Sequence, residues 1–217
     1  MNCNFAFCIF NFKFEAVAFE EFVVSFLVDE VVGGFFISVP PGHIACLYDR
    51  GRGVLPRTWG PGLHLKIPFW QIAKLFNAQI LEYTIDKRFS IPEGRKEVLG
   101  DKAVNATTKD GKLIQIEGSI LFRLDKTKAP QLWENVGENF VSKVVRPIAR
   151  SRISSVISEV STSQMTSYRN QLEEKIKEEL NQGFQPKGLI CEGFLLSEVK
   201  LLGDLSTAKD DKVLFKK

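Results

Sequence analysis

The chain is poor in the residues that carry most enzyme chemistry. Its 217 residues include only two histidines, His43 and His64, and four cysteines, Cys3, Cys8, Cys46 and Cys191. No two cysteines form a CxxC pair and four are too few for a disulfide framework, so free thiols in a reducing compartment are expected. A histidine-rich metal centre or a histidine-centred proton relay would have to recruit two residues that both follow turn sequences. No nucleophile motif and no phosphate-cradling loop is present. The expectation is therefore no catalytic residues, no metal ligands and no cofactor.

Long uncharged apolar runs are missing as well. The window from Ala16 to Ser38 contains Glu20, Glu21, Asp29 and Glu30, each costing about 2.5–3.5 kcal/mol near a bilayer centre, so a spanning helix is not expected there. A secretory leader is not expected either, because no basic start precedes the apolar residues and no small-residue cleavage pattern follows. What the segment has instead is phenylalanine: ten of the eighteen lie in the first 36 residues, among them Phe22, Phe26, Phe35 and Phe36. Residues 1–37 read as a separate segment. Either its rings contact or partly enter a membrane interface with the acids turned to water, or it is an extension with no ordered role.

Charge is also uneven. Residues 1–42 carry five acids against Lys13, a net −4, which leaves +7 of the total +3 on the remainder. With 44% hydrophobic residues the chain is long enough to bury a sizeable core, and one domain plus an appendage is the expectation.

From Pro40 the sequence becomes a series of short apolar runs separated by turns. Pro40-Pro41-Gly42, Arg50-Gly51-Arg52-Gly53 and Gly60-Pro61-Gly62 punctuate strands of about five residues, and Ile72 to Ile85 reads as one further strand. Asp110-Gly111 predicts a two-residue hairpin turn. In its second arm Ile114, Ile116, Ile120, Phe122 and Leu124 share one face, and Gln115, Glu117, Ser119 and Arg123 the other.

Beyond Arg123 the period becomes helical. Pro130 fits a first helical turn, and Val141, Val144, Val145 and Ile148 recur at helical spacing, with Lys143, Arg146 and Arg150 opposite and Pro147 expected to bend the axis. The Ser/Thr-rich stretch Ser161–Ser167 caps a second helix carrying Leu172, Ile176 and Leu180, with Glu173–Lys177 as an i,i+4 pair and Gly183 as its end. Gly188 to Leu202 is a last strand. Strands, then helices, then a strand make an α+β fold with a mostly antiparallel sheet packed against two or three helices.

The order and spacing of Val39-Pro40-Pro41-Gly42, Gly60-Pro61-Gly62-Leu63-His64, Pro68-Phe69, Lys109-Asp110-Gly111 leading to Phe122-Arg123, and Val144-Val145-Arg146-Pro147 through Ile157-Ser158-Glu159 resemble the SPFH/Band 7 (stomatin/prohibitin/flotillin) domain across residues 38–202. The Arg-Pro within a Val/Ile/Arg helix is prohibitin-like. The resemblance implies a non-catalytic scaffold on a membrane that assembles with itself or with paralogous SPFH subunits and organises lipids or membrane proteins, a membrane protease among them. It also implies a membrane location, the mitochondrial inner membrane for a true prohibitin relative. Residues 203–217 show no sustained heptads, so a coiled coil of the family's kind is not expected in this short polar tail.

Individual residues divide between plain and functional readings. His43 and His64 read as turn-supporting side chains, His43 alternatively as a pH-sensitive contact at a membrane interface. Lys143, Arg146 and Arg150 form a stripe that is either a solvated helix face or a contact for anionic lipid or an acidic neighbouring subunit. Nucleic acid is not expected, because no aromatic-and-basic strand motif accompanies the stripe and net charge is small. Trp59, Phe69 and Trp70 read as interfacial anchors or as residues buried on the sheet. Membrane or subunit contact is therefore expected at Phe22, Phe26, Phe35, Phe36, Trp59, Trp70, Lys143, Arg146 and Arg150. Two other functions compete: a soluble protein-interaction module of the same fold, and a thiol hydrolase using Cys46 or Cys191. The hydrolase ranks last, since both cysteines sit in apolar strand-like runs where free cysteine behaves as a small hydrophobe.

Overall fold

The computed structural model describes residues 34–88 and 99–204. Between Asn77 and Ala78 the chain divides into two compact units, so the stretch 38–202 is built as two bodies. The division falls inside the run expected as one strand. The structure breaks that run into β5 (Gln71–Asn77) and β6 (Leu81–Ile85), which pair in different sheets, while residues 78–80 join no ladder. Apolar periodicity marks what is buried, not where one ladder stops and the next begins.

In the first unit β1 (Phe36–Val39), β2 (His43–Asp49), β3 (Gly53–Trp59) and β4 (Gly62–Leu65) precede β5. β2 lies between β3 and β5, antiparallel to both. Its Ile44, Ala45, Cys46 and Leu47 are all buried, which explains why the segment is continuously apolar: both of its faces are covered. The Arg50–Gly53 turn closes as expected, the Asp49 carboxylate accepting the Gly51 N–H at 2.9 Å and its carbonyl the Arg52 N–H at 3.2 Å. β1 and β4 form a separate antiparallel ribbon that sets Phe36 opposite Leu65 and Ser38 opposite Leu63.

The second unit is a sheet in the order β10-β9-β6-β7, with β8 also on β9; only β6 and β7 run parallel. Here β7 is Gly100–Asp101, β8 Val104–Thr107, β9 Lys112–Leu124 and β10 Leu189–Asp204. The expected hairpin joins β8 to β9, but its loop has three residues rather than two. Thr108 accepts the Gly111 N–H at 3.0 Å and donates its own N–H to the Lys112 carbonyl at 2.9 Å. Gly111 has a positive φ of 77°, and Asp110 does not share it, the pattern of a turn followed by a glycine bulge. Asp110 is used elsewhere: its carboxylate accepts the Thr162 N–H at 2.8 Å.

Among the described residues four α-helices follow: α1 (Ala129–Asn135), α2 (Arg146–Glu159), α3 (Thr162–Ser167) and α4 (Arg169–Phe184). The single bent helix expected around Pro147 is two helices. Pro130 opens α1, which ends before Gly137; a π-helical turn, Val141–Val145, then leads into α2. Pro147 comes just after that π-helical turn, as the second residue of α2, so the ladder changes from π to α at a residue with no N–H to donate. The Ser161–Ser167 break is itself largely helical, as α3. Gly183 does not end the last helix. α4 runs on into a 3₁₀ turn, Gln185–Lys187, and Gly188 at φ 77° terminates it. Gly183 marks a helix crossing instead, since a Cβ there would lie 2.7 Å from Ile148 Cγ2. Glu173 and Lys177 do not pair: Glu173 accepts from Arg169 at 3.4 Å and from the Leu196 N–H at 3.1 Å, and Lys177 turns to Glu174.

The apolar face of β9 read from the sequence is buried as a unit, with Leu172, Ile176, Leu180 and Phe184 of α4 buried too and the Phe122 and Phe184 rings 6.4 Å apart. Burial of this kind contributes about 1.5–3 kcal/mol per large side chain.

Candidate membrane and subunit contact surface

β4 turns its leucines outward. Leu63 and Leu65 are 69% and 65% exposed, while His64 between them turns inward and stacks on Trp59 at 5.0 Å and 5° between the rings. Its Nε2 bonds the Gly60 carbonyl at 2.7 Å, so His64 supports the turn as expected. His43 likewise bonds the Pro41 carbonyl, at 3.3 Å. Across the ribbon Phe36, opposite Leu65, is also exposed.

The chain leaving β4 continues the display. Ile67, Phe69 and Trp70 are all more than half exposed. Phe69 is the non-glycine residue of the described chain with positive φ, 62°, and the Trp70 N–H donates to the Pro68 carbonyl at 2.7 Å. That is a γ-turn of the strained hand, a conformation that persists only when its surroundings hold it. The restraint is visible. Gln71 donates its N–H to the Ile67 carbonyl at 2.9 Å, accepts the Ile67 N–H on its side chain at 3.1 Å and donates its amide to buried Asp49 at 3.1 Å. The Gln71 and Gly51 hydrogen bonds hold the Asp49 carboxyl below its usual pKa. A buried polar clamp thus fixes a loop whose side chains point two aromatic rings and an isoleucine at solvent.

Of the expected contact residues, Phe22 and Phe26 lie outside the described residues. Phe35, Phe36 and Trp70 are exposed. Trp59 is half-buried, with His64 on one face and the Arg57 guanidinium 6.0 Å from its ring. Leu63, Leu65 and Ile67 were not singled out from the sequence; alternation shows that a strand has two faces and not which one lacks a cover.

The basic stripe of the second unit has an internal partner that sequence spacing does not reveal. Arg146 meets Asp101 through Nε at 3.0 Å and Nη2 at 2.8 Å, and Arg150 adds a bond at 2.6 Å. Asp101 is buried. Burial alone would raise its pKa, but the Arg150 and Arg146 bonds and the Lys102 N–H outweigh it and hold the carboxyl low; the same contact raises Arg146. Tyr83 beside them is pushed up to about 12, chiefly by burial. Lys143 donates to the Val136 carbonyl at 2.8 Å. The two arginines remain nearly half exposed, so the stripe is at once a structural clamp and a positive surface.

Nothing in this geometry favours thiol chemistry. Cys46 is fully buried in β2 and Cys191 nearly so in β10, and burial pushes their thiols up to about 12 and about 11, away from the thiolate a nucleophile needs. No helix among the described residues is long and apolar enough to cross a membrane.

Comparison with known proteins decides the family. The profile described as SPFH domain / Band 7 family matches residues 37–213. The chain belongs to the SPFH/Band 7 family. Among its relatives, Prohibitin 1 of Gallus gallus is 24% identical over 182 residues, 84% of this chain and 61% of that protein. "Prohibitin-4, mitochondrial" of Arabidopsis thaliana is 29% identical over 111 residues, 51% of this chain and 34% of that protein. Prohibitin-1 of Saccharomyces cerevisiae is 20% identical over 174 residues, 80% and 55% of the respective chains. This SPFH chain spans between a third and three fifths of the length of these prohibitins. The α+β fold read from the sequence agrees with the family.

Proposed function

We propose that this SPFH chain is a non-catalytic, membrane-associated scaffold of the prohibitin type, and that it meets the bilayer through Phe36, Leu63, Leu65, Ile67, Phe69 and Trp70. The observation that supports this reading is the pinned, strained turn at Phe69, which holds large apolar side chains in water. Exposed apolar patches of this kind mark interaction surfaces, and Trp and Phe favour the headgroup level. Residues 1–37 add a second contact through Phe22 and Phe26, residues 38–202 form the scaffold in its two units, and residues 203–217, the first two of which finish β10, are a polar tail. The exposed parts of Lys143, Arg146 and Arg150 face anionic headgroups or an acidic neighbouring subunit. Self or paralogous SPFH subunits are the partners, with a membrane protease among the proteins organised and the mitochondrial inner membrane as the location the prohibitin relatives favour.

Flotation with phosphatidylcholine vesicles tests the contact. A Phe69→Ser/Trp70→Ser variant, which leaves the Gln71–Asp49 clamp in place, is expected to lose at least tenfold in vesicle affinity, as removal of two partly inserted rings costs about 2 kcal/mol. Unchanged flotation together with retained fold by circular dichroism would move the lipid contact off this loop, and a native chain that does not float at all would favour the soluble interaction module.

A further inference from the structure

β10 is the outer strand of its sheet, and its two halves are treated differently. From Cys191 to Ser197 the outward backbone is covered by α4: Asn181 accepts the Cys191 N–H, Glu173 accepts the Leu196 N–H, and Arg169 donates to the carbonyls of Leu196 and Ser197. Side chains that cap an edge in this way keep other strands off it. Beyond the bulge at Ser197 the capping stops among the described residues. Ile114 and Ile116 lie opposite Ala106 and Val104 of β8 on one side and Leu201 and Val199 of β10 on the other. The bond between the Thr108 N–H and the Lys112 carbonyl sets the alternation of that ladder, so Ile114 and Ile116 spend their backbone groups on β8. Val199 and Leu201 therefore turn N–H and C=O to the open edge. Their side chains are 38% and 56% exposed, beside an apolar groove of about 450 Å³ lined by Ile114 and Met165.

We infer that this edge pairs with the same edge of a second copy, antiparallel about a two-fold axis at Val199, joining two sheets into one. The inference rests on the self-association proposed above and names its contact. Charge selects the occupant and the register. Glu198 and Lys200 flank Val199 on the opposite face of the strand, so the axis at Val199 sets each Glu198 against the other copy's Lys200, two attractive cross-strand pairs. An axis at Lys200 would oppose lysine to lysine, and one at Leu201 would set Lys200 against Leu202 and lose both pairs. In the single chain Lys200 already reaches toward Glu198 at 2.7 Å and Glu117 at 3.5 Å, so these side chains are held on the face where the exchange occurs. The uncapped length is short, which fits a weak contact that becomes effective when many copies are gathered on one surface.

Sedimentation of the full chain and of two charge variants provides the test. Glu198→Lys and Lys200→Glu are each expected to weaken self-association about tenfold, because each places like charges opposite one another twice. An equimolar mixture of the two variants is expected to restore it, since both pairs then become attractive. With the native cysteines replaced by serine, Val199→Cys should oxidise to a covalent dimer and Leu195→Cys, on the capped half, should not. Amide protection at Val199 and Leu201 should rise with protein concentration. Failure of the mixture to rescue, or of Val199→Cys to cross-link, in a chain that still self-associates overturns this interface and leaves the scaffold reading standing. A chain that is monomeric at every concentration overturns the interface and the proposed self-association. Protection that is independent of concentration means that the chain's own residues cover the edge, and it overturns the pairing as well.

Discussion

Asp101 draws its two arginine partners from 45 and 49 residues further along the chain. A buried carboxylate is costly unless fully bonded, and here two guanidinium groups and the Lys102 N–H supply the bonds. Because the folded-state pKa is lowered, the contribution to stability is fully present above the ordinary carboxylate value of about 4 and fades as the pH falls through the folded-state value. Asp101→Asn should therefore destabilise the fold by about 2 kcal/mol at pH 7, as two half-exposed arginines lose a buried partner. Urea unfolding from pH 7 down to pH 3 would check it: the gap between the native chain and the variant should narrow with acid. A gap that stays constant would assign the loss to packing. The stripe Lys143-Arg146-Arg150 was legible as positive charge on one helix face. Its partner was not, because Asp101 lies on a two-residue strand with no periodicity to mark it.

Helix and strand ends were the least legible elements, and Gly183 shows the reason. A glycine near the end of an apolar helical repeat predicts a stop, yet here it lies inside α4 where Ile148 of α2 presses close, and Gly188 makes the stop. Gly183→Ala gains helix propensity of up to about 1 kcal/mol but forces a methyl into Ile148, an overpacking cost of about 1–3 kcal/mol. The expected net effect is a fall in melting temperature of several degrees, recovered in the Gly183→Ala/Ile148→Leu pair, which takes away the β-branched Cγ2 methyl that presses on the site. Thermal denaturation of both variants decides it, and a stabilised single variant would mean that the helices are free to move apart. The β8–β9 hairpin carries the complementary lesson. Asp-Gly announces a turn correctly, but Asp110 is drawn to the Thr162 N–H, and the loop that results has three residues.

For the molecule as a whole, an apolar membrane contact and a charged one respond differently to salt. If Leu63, Leu65, Ile67, Phe69 and Trp70 carry the interaction, vesicle binding at 0.5 M salt should stay within about twofold of its low-salt value, whereas attraction through the basic stripe would be largely screened. Flotation at two salt concentrations separates them, and a tenfold loss at high salt would transfer the contact to the second unit. The residue pattern by itself determined the α+β class, the buried face of β9, the helical repeat of α4 and the family, because each is written in local periodicity or in the order of turn motifs. Tertiary structure alone decided that Ile72–Ile85 splits between two units, that the stripe's arginines clamp Asp101, and that, among the described residues, the leucines of β4 and the second half of β10 are left uncovered. Amphipathicity is a property of one segment and can be read along it. Coverage, pairing and charge compensation depend on which distant segment arrives opposite, and only the folded chain sets that.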